Sequence, residues 1–121
     1  MSHTYDIIMN SDLATEKEIK NSEDPVTLLL KRLSEKLSIT PYEVNDGFCT
    51  RVAQRIEQEV PQARETCYEM ITPELPPYSG REYNLYKSHS WIEYNGKHYD
   101  IEAPDGIKEW KELPIFQNRR S

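Results

Sequence analysis

Ser88–Gly106 reads SHSWIEYNGKHYDIEAPDG, and its centre, Tyr94-Asn95-Gly96-Lys97, is a reversal signal. Asn-Gly suits the two central positions of a type I′ turn, because both need positive φ. The flanking residues therefore fold back as an antiparallel hairpin. Tyr94 faces Lys97, and the rungs continue as Glu93–His98, Ile92–Tyr99, Trp91–Asp100, Ser90–Ile101 and His89–Glu102. Alternation places Ser90, Ile92, Tyr94, Lys97, Tyr99 and Ile101 on one face, expected to be buried, and His89, Trp91, Glu93, His98, Asp100 and Glu102 on the other. Glu102 stands opposite His89 in this register and Asp100 lies on the diagonal, so a carboxylate is available to fix the imidazole as a general base requires. A three-residue turn would shift the pairing and leaves the choice between the two acids open. On a solvated sheet face such a pair is commonly no more than a weak surface contact. Chemistry needs a nucleophile from elsewhere in the chain.

Working backwards, Val44-Asn45-Asp46-Gly47-Phe48-Cys49 leads into Phe48, Val52, Ala53, Ile56 and Val60 at helical spacing, with Asn45 or Asp46 as the expected cap. Cys49 then falls in the first turn of a helix, where unpaired N–H groups and the positive end of the dipole favour a thiolate. The bland alternative is a cysteine that is simply a small buried hydrophobe. An earlier helix starts at Asp24-Pro25 and carries Val26, Leu29, Leu30, Leu33 and Leu37 as packing residues, ending at Thr40-Pro41. Ahead of it, Tyr5-Asp6-Ile7-Ile8 reads as an edge strand, and the rest of 1–23 as loop or a partly ordered arm.

Between nucleophile and hairpin, Ala63–Ile71 reads as a strand with Cys67 as a structural residue. The proline-rich stretch 72–88 reads as a long loop whose Tyr78, Tyr83 and Tyr86 are candidates to line a cleft. Beyond the hairpin, Ala103-Pro104-Asp105-Gly106 reads as a turn and Ile107–Lys111 as a short helix carrying Trp110. Leu113-Pro114-Ile115-Phe116 supplies apolar anchors before a solvated tail.

At 121 residues the chain is expected to form one domain with a single modest core, an α+β fold of two or three helices on a small antiparallel sheet. A net charge of −6 disfavours a surface that tracks phosphates, so nucleic acid is not an expected partner. No apolar run approaches the ~20 residues of a membrane span, and no signal-peptide layout opens the chain; a cytoplasmic protein without a membrane partner is expected. Two cysteines outside any CxxC pattern argue against a disulfide framework or a zinc knuckle. A metal site on His89, His98, Asp100 and Glu102 would need imidazoles about 13 Å apart at ~3.3 Å per residue to share one ion. Neither metal nor cofactor is expected.

A cysteine at a helix start, a histidine forty residues later at a strand start and an acid on the next strand have the chain order of papain-like cysteine enzymes. Here the sequence resembles the transglutaminase-like superfamily: GFCTRVAQRI is similar to its cysteine helix, HSWIEY to its histidine strand, and GKHYDIEAP to its acid strand. The resemblance covers about residues 44–107. It implies a papain-like core with Cys49 as nucleophile, His89 as general base and a strand carboxylate orienting the imidazole. Against the family pattern GKWYxVD this chain has GKHYDIE, so the family's tryptophan becomes His98 and its aspartate falls on Glu102, with Asp100 as the substitute. Asn45, Trp91 and Tyr86 are candidates for the oxyanion site and substrate contacts. The implied activity is acyl transfer from an amide of a protein or peptide substrate to water or to an amine. The rival is a non-catalytic binding or inhibitor protein with the same fold, which would not need Cys49 ionised.

Overall fold

Asn95 and Gly96 take φ values of 53° and 81° in the computed structural model, and the hairpin closes in the register the dipeptide predicts. Strands β2 (Ser90–Tyr94) and β3 (Lys97–Asp100) pair as Tyr94–Lys97, Glu93–His98 and Ile92–Tyr99. The structure describes residues 2–71 and 89–117. Strand β1 (Arg64–Cys67) joins the free edge of β2, β4 (Ala103–Ile107) joins β3, and the four form an antiparallel sheet in the order β1-β2-β3-β4.

The helices precede most of the sheet in the chain. They are α1 (Ser2–Asn10), α2 (Glu16–Asn21), α3 (Pro25–Lys36), α4 (Pro41–Asn45) and α5 (Cys49–Glu59), with a single turn, α6 (Tyr68–Ile71), after β1. Val26, Leu29, Leu30 and Leu33 of α3 and Val52, Ala53 and Ile56 of α5 close over Ile92, Tyr99 and Ile101 of the sheet. Each large aliphatic side chain buried there contributes roughly 1.5–3 kcal/mol. This α+β architecture matches the class expected from the sequence. Among the described residues no helix is long and apolar enough to cross a membrane.

Several local expectations are corrected. Tyr5–Ile8 belongs to α1 rather than to an edge strand, and α2 follows it under a capping box in which Thr15 and Glu18 satisfy each other's backbone N–H groups. The segment is tied down because Ile8 and Leu13 are buried in the core and the buried Arg55 donates to the carbonyls of Ile8 and Ser11 at 2.9 and 2.6 Å. Helix α3 ends at Lys36, and Thr40-Pro41 begins α4: Thr40 and Glu43 form a second capping box with proline in the first turn, where its missing N–H costs nothing. Asn45 and Asp46 close α4 instead of capping α5, whose N-cap is Phe48. The strand expected over Ala63–Ile71 stops at Cys67.

The reversal expected at Ala103–Gly106 occurs one step earlier, at Ile101-Glu102, where Asp100 pairs with Ala103. Pro104-Asp105-Gly106 becomes a bulge within β4, so that His98 pairs with Ile107. Gly106, at φ 82°, lies against the Tyr99 ring so closely that a Cβ there would sit 2.8 Å from it. The turn-forming residues are real, but they bend a strand. In place of the expected helix at Ile107–Lys111, two 3-10 turns, Trp110–Glu112 and Pro114–Phe116, cross the second face of the sheet. Leu113, Ile115, Trp110 and Phe116 pack there on Trp91, so that face is covered and not solvated. Tyr78, Tyr83, Tyr86 and the last four residues lie outside the described residues.

Candidate active site

His89 stands immediately ahead of β2, on the face that the C-terminal turns cover, and Asp100 ends β3 beside it. The imidazole Nε2 lies 3.0 Å from Asp100 Oδ2, with the two side chains only 2% and 3% exposed. The other carboxylate oxygen, Oδ1, accepts the backbone N–H groups of Glu102 and Ala103, both at 2.9 Å. An aspartate at the start of a tight turn accepts such bonds readily, and they hold the carboxylate with Oδ2 facing the imidazole as an acceptor. Nε2 is therefore the donating nitrogen. The buried Nδ1 has no hydrogen-bond partner.

Cys49 supplies that thiol from the first residue of α5, a position its sequence context predicts. It is buried apart from about 9% of its surface. Burial pushes the thiol pKa up, but the pull of His89, the Ser90 backbone N–H and the Thr50 side chain outweigh it, and the net direction is down. Burial likewise pushes His89 down, and the hydrogen bond to Asp100, the pairing with Cys49 and the charges of both outweigh it, so the imidazole is raised. A lowered thiol and a raised imidazole bring the thiolate–imidazolium pair closer in energy to the neutral one.

Aromatic rings fix the imidazole plane. Trp91 stacks on it with ring centres 5.8 Å apart at 22°, and Phe116 meets it edge-on at 5.5 Å and 85°. Trp91 itself rests on Trp110 at 5.5 Å and 14°, and its Nε1 donates to His98 Nδ1 at 3.0 Å. The residues expected at this site thus separate. His89 and Asp100 are hydrogen-bonded, and Cys49 is electrostatically coupled to the same imidazole.

Glu102 does not face the imidazole. It sits in the turn, and its Oε1 accepts the Asn45 amide at 2.9 Å, which engages Asn45 away from the oxyanion role expected of it. The physical reason is the two-residue turn after Asp100, which removes the rungs that would have carried the pairing on to Glu102. Trp91 is fully buried, so it supports the histidine and cannot touch a substrate. Tyr86 lies outside the described residues. The Ser90 N–H, the Thr50 hydroxyl and Phe116 were not singled out in the sequence. Thr50 follows the nucleophile directly and its Oγ1 lies 3.3 Å from Ser90 Oγ. Only the aromatic character of the C-terminal stretch could have pointed to Phe116.

His98 is occupied by Trp91, and among the described residues no three His, Cys, Asp or Glu side chains are placed to hold one metal ion. A groove of about 650 Å³ runs between α3, α4 and the Ile101-Glu102 turn, but neither Cys49 nor His89 lines it. No family model, curated protein or solved structure matches the chain.

Proposed function

We propose that the protein is a cysteine-dependent acyl-transfer enzyme acting on an amide of a protein or peptide, with Cys49 as nucleophile, His89 as general acid and base, and Asp100 orienting the imidazole. The observation that carries this reading is the buried 3.0 Å bond between His89 and Asp100, whose imidazole is in turn electrostatically coupled to a thiol at a helix start. The transglutaminase-like resemblance implies the same roles, with Asp100 taking the third place.

The Cys49 thiolate adds to the amide carbonyl carbon, and the carbonyl π electrons move onto oxygen. First-turn N–H groups of α5, beside the nucleophile, would stabilise that oxyanion. Collapse of the tetrahedral species breaks the C–N bond, the imidazolium gives its Nδ1 proton to the departing amine, and a thioester remains on Cys49. Water or an acceptor amine then adds to the thioester as His89 takes its proton, releasing the acid or the new amide and restoring the thiolate. Asp100 keeps its negative charge throughout and stabilises the imidazolium.

The test is incubation with a library of peptide amides, including peptide-bound glutamine, with and without a fluorescent primary amine. An acyl adduct on Cys49 by intact mass, together with hydrolysed or amine-exchanged product, supports the reading. Absence of adduct and product from a folded protein whose thiol is ionised contradicts it and favours a binding protein.

A further inference from the structure

We propose that His98 is a positioning residue for His89, acting through Trp91. This rests on the acyl-transfer reading and goes beyond it, because His98 touches neither the thiol nor the carboxylate of the triad. A fully buried indole must find a partner for its N–H or lose the hydrogen bond it makes with water. Trp91 finds it in His98 Nδ1 at 3.0 Å. The face of the same indole is the surface on which the His89 imidazole lies, at 5.8 Å and 22°. One edge of the indole is therefore pinned by His98 and its stacking plane is backed by Trp110 at 14°. If the indole is free to rotate, the imidazole loses the flat support that keeps Nε2 aimed at Asp100 and the ring coupled to the Cys49 thiol.

Nδ1 of His98 accepts this bond only while it carries no proton, so the neutral Nε2-protonated tautomer is the working form. Its surroundings keep it there: burial pushes the His98 pKa down, against the opposing pull of Glu93 across the β2–β3 pair and of Glu109 beyond β4. Of the described residues, Trp91 and the cross-strand Ile107 also adjoin it and carry no charge, and Glu93 is itself ion-paired with Arg64. The substitution that separates this chain from the GKWYxVD pattern thus has a partner in the structure, since a tryptophan at position 98 would offer no acceptor.

The experiment measures the rate of Cys49 alkylation by iodoacetamide against pH, in the full chain with Cys67→Ser to isolate the signal. His98→Leu and Trp91→Phe are each expected to move the thiolate midpoint toward that of an ordinary thiol, lowering the rate at pH 6 by about tenfold, the change that one pKa unit brings. His98→Asn, whose side-chain oxygen can replace Nδ1 as acceptor, is expected to retain the parent profile. The double variant Trp91→Phe/His98→Leu is expected to behave like either single variant, because only one hydrogen bond is lost. Trp91→Phe keeps the core ring and serves where His98→Leu does not fold. The proposal is overturned if His98→Leu or, where that fails to fold, Trp91→Phe keeps the parent profile, if His98→Asn shifts as far as His98→Leu, or if the two single effects add. A parent that already titrates as an ordinary thiol sinks the enzyme reading and this one with it, whereas a depressed parent with unmoved variants sinks this one alone.

Discussion

The two faces of the sheet are both buried, yet they are filled by different means. On the helix side, α3 and α5 meet the sheet through aliphatic groups, and the described contacts there follow helical and strand periodicity closely. On the other side, two short turns near the C-terminus cover a tryptophan, a histidine and an aspartate held by specific polar contacts, with His89 Nδ1 left without a hydrogen bond. Aliphatic packing tolerates exchange of similar volumes, whereas a buried polar chain fails when one member is removed. We propose that the first face serves stability and that the second, together with Cys49 at the start of α5, carries the proposed chemistry.

The sharpest way to break that assignment is Cys49→Ser, which should leave the fold intact and abolish acyl-adduct formation, a loss on the order of a thousandfold or more in turnover. Next comes the pair Asp100→Asn and Glu102→Gln. The first should cut turnover by roughly a hundredfold or more, because the buried carboxylate that stabilises the imidazolium is lost. The second should change it by less than about threefold while loosening the contact with Asn45, an expectation resting on the small effect of most partly exposed substitutions. Equal losses in the two variants would mean that both acids serve the histidine.

On the helix face the expected effect is on stability alone. Leu30→Ala should cost about 2–5 kcal/mol in denaturant unfolding and leave the pH profile of Cys49 unchanged. A shifted profile would show that the two faces are not separable. The smallest effect concerns the exposed Glu18, whose carboxyl is held at about 2 first by its hydrogen bond to Arg32 and then by the Thr15 N–H. A lowered carboxyl stabilises the fold above its unfolded value of about 4.3 and loses that contribution as pH falls toward the folded value. The difference in melting temperature between parent and Glu18→Gln should therefore shrink as pH is lowered from 5 to 2, without any effect on Cys49.

The same contrast explains how much could be read from the sequence. The Asn95-Gly96 turn, the apolar faces of α3 and α5, and Cys49 at a helix start were legible because each follows from a local rule of dihedral preference or periodicity. His89 was legible from its place on the hairpin. Asp100 was visible only as an alternative: rung counting assumed that β3 continues, whereas Asp100 itself, by binding the N–H groups of Glu102 and Ala103, ends the strand. Tyr5–Ile8 turns out helical because three apolar residues around an aspartate do not distinguish strand from helix, while the local signal for α2 is the Thr15–Glu18 capping box. Leu113–Phe116 was legible as an apolar anchor, but not as the cover over His89. Trp110 and Phe116 reach it through tertiary packing of two 3-10 turns, and no periodicity announces that.

The most direct test of the central claim is the pH dependence of Cys49 alkylation between pH 4 and 10, in the Cys67→Ser protein and with His89→Ala added. A Cys49–His89 pair gives a thiolate that persists well below the ordinary midpoint of about 8.5 and that returns toward it when the imidazole is removed. Ordinary titration near 8.5 in both proteins would contradict it, and the buried histidine and aspartate would then be a structural pair.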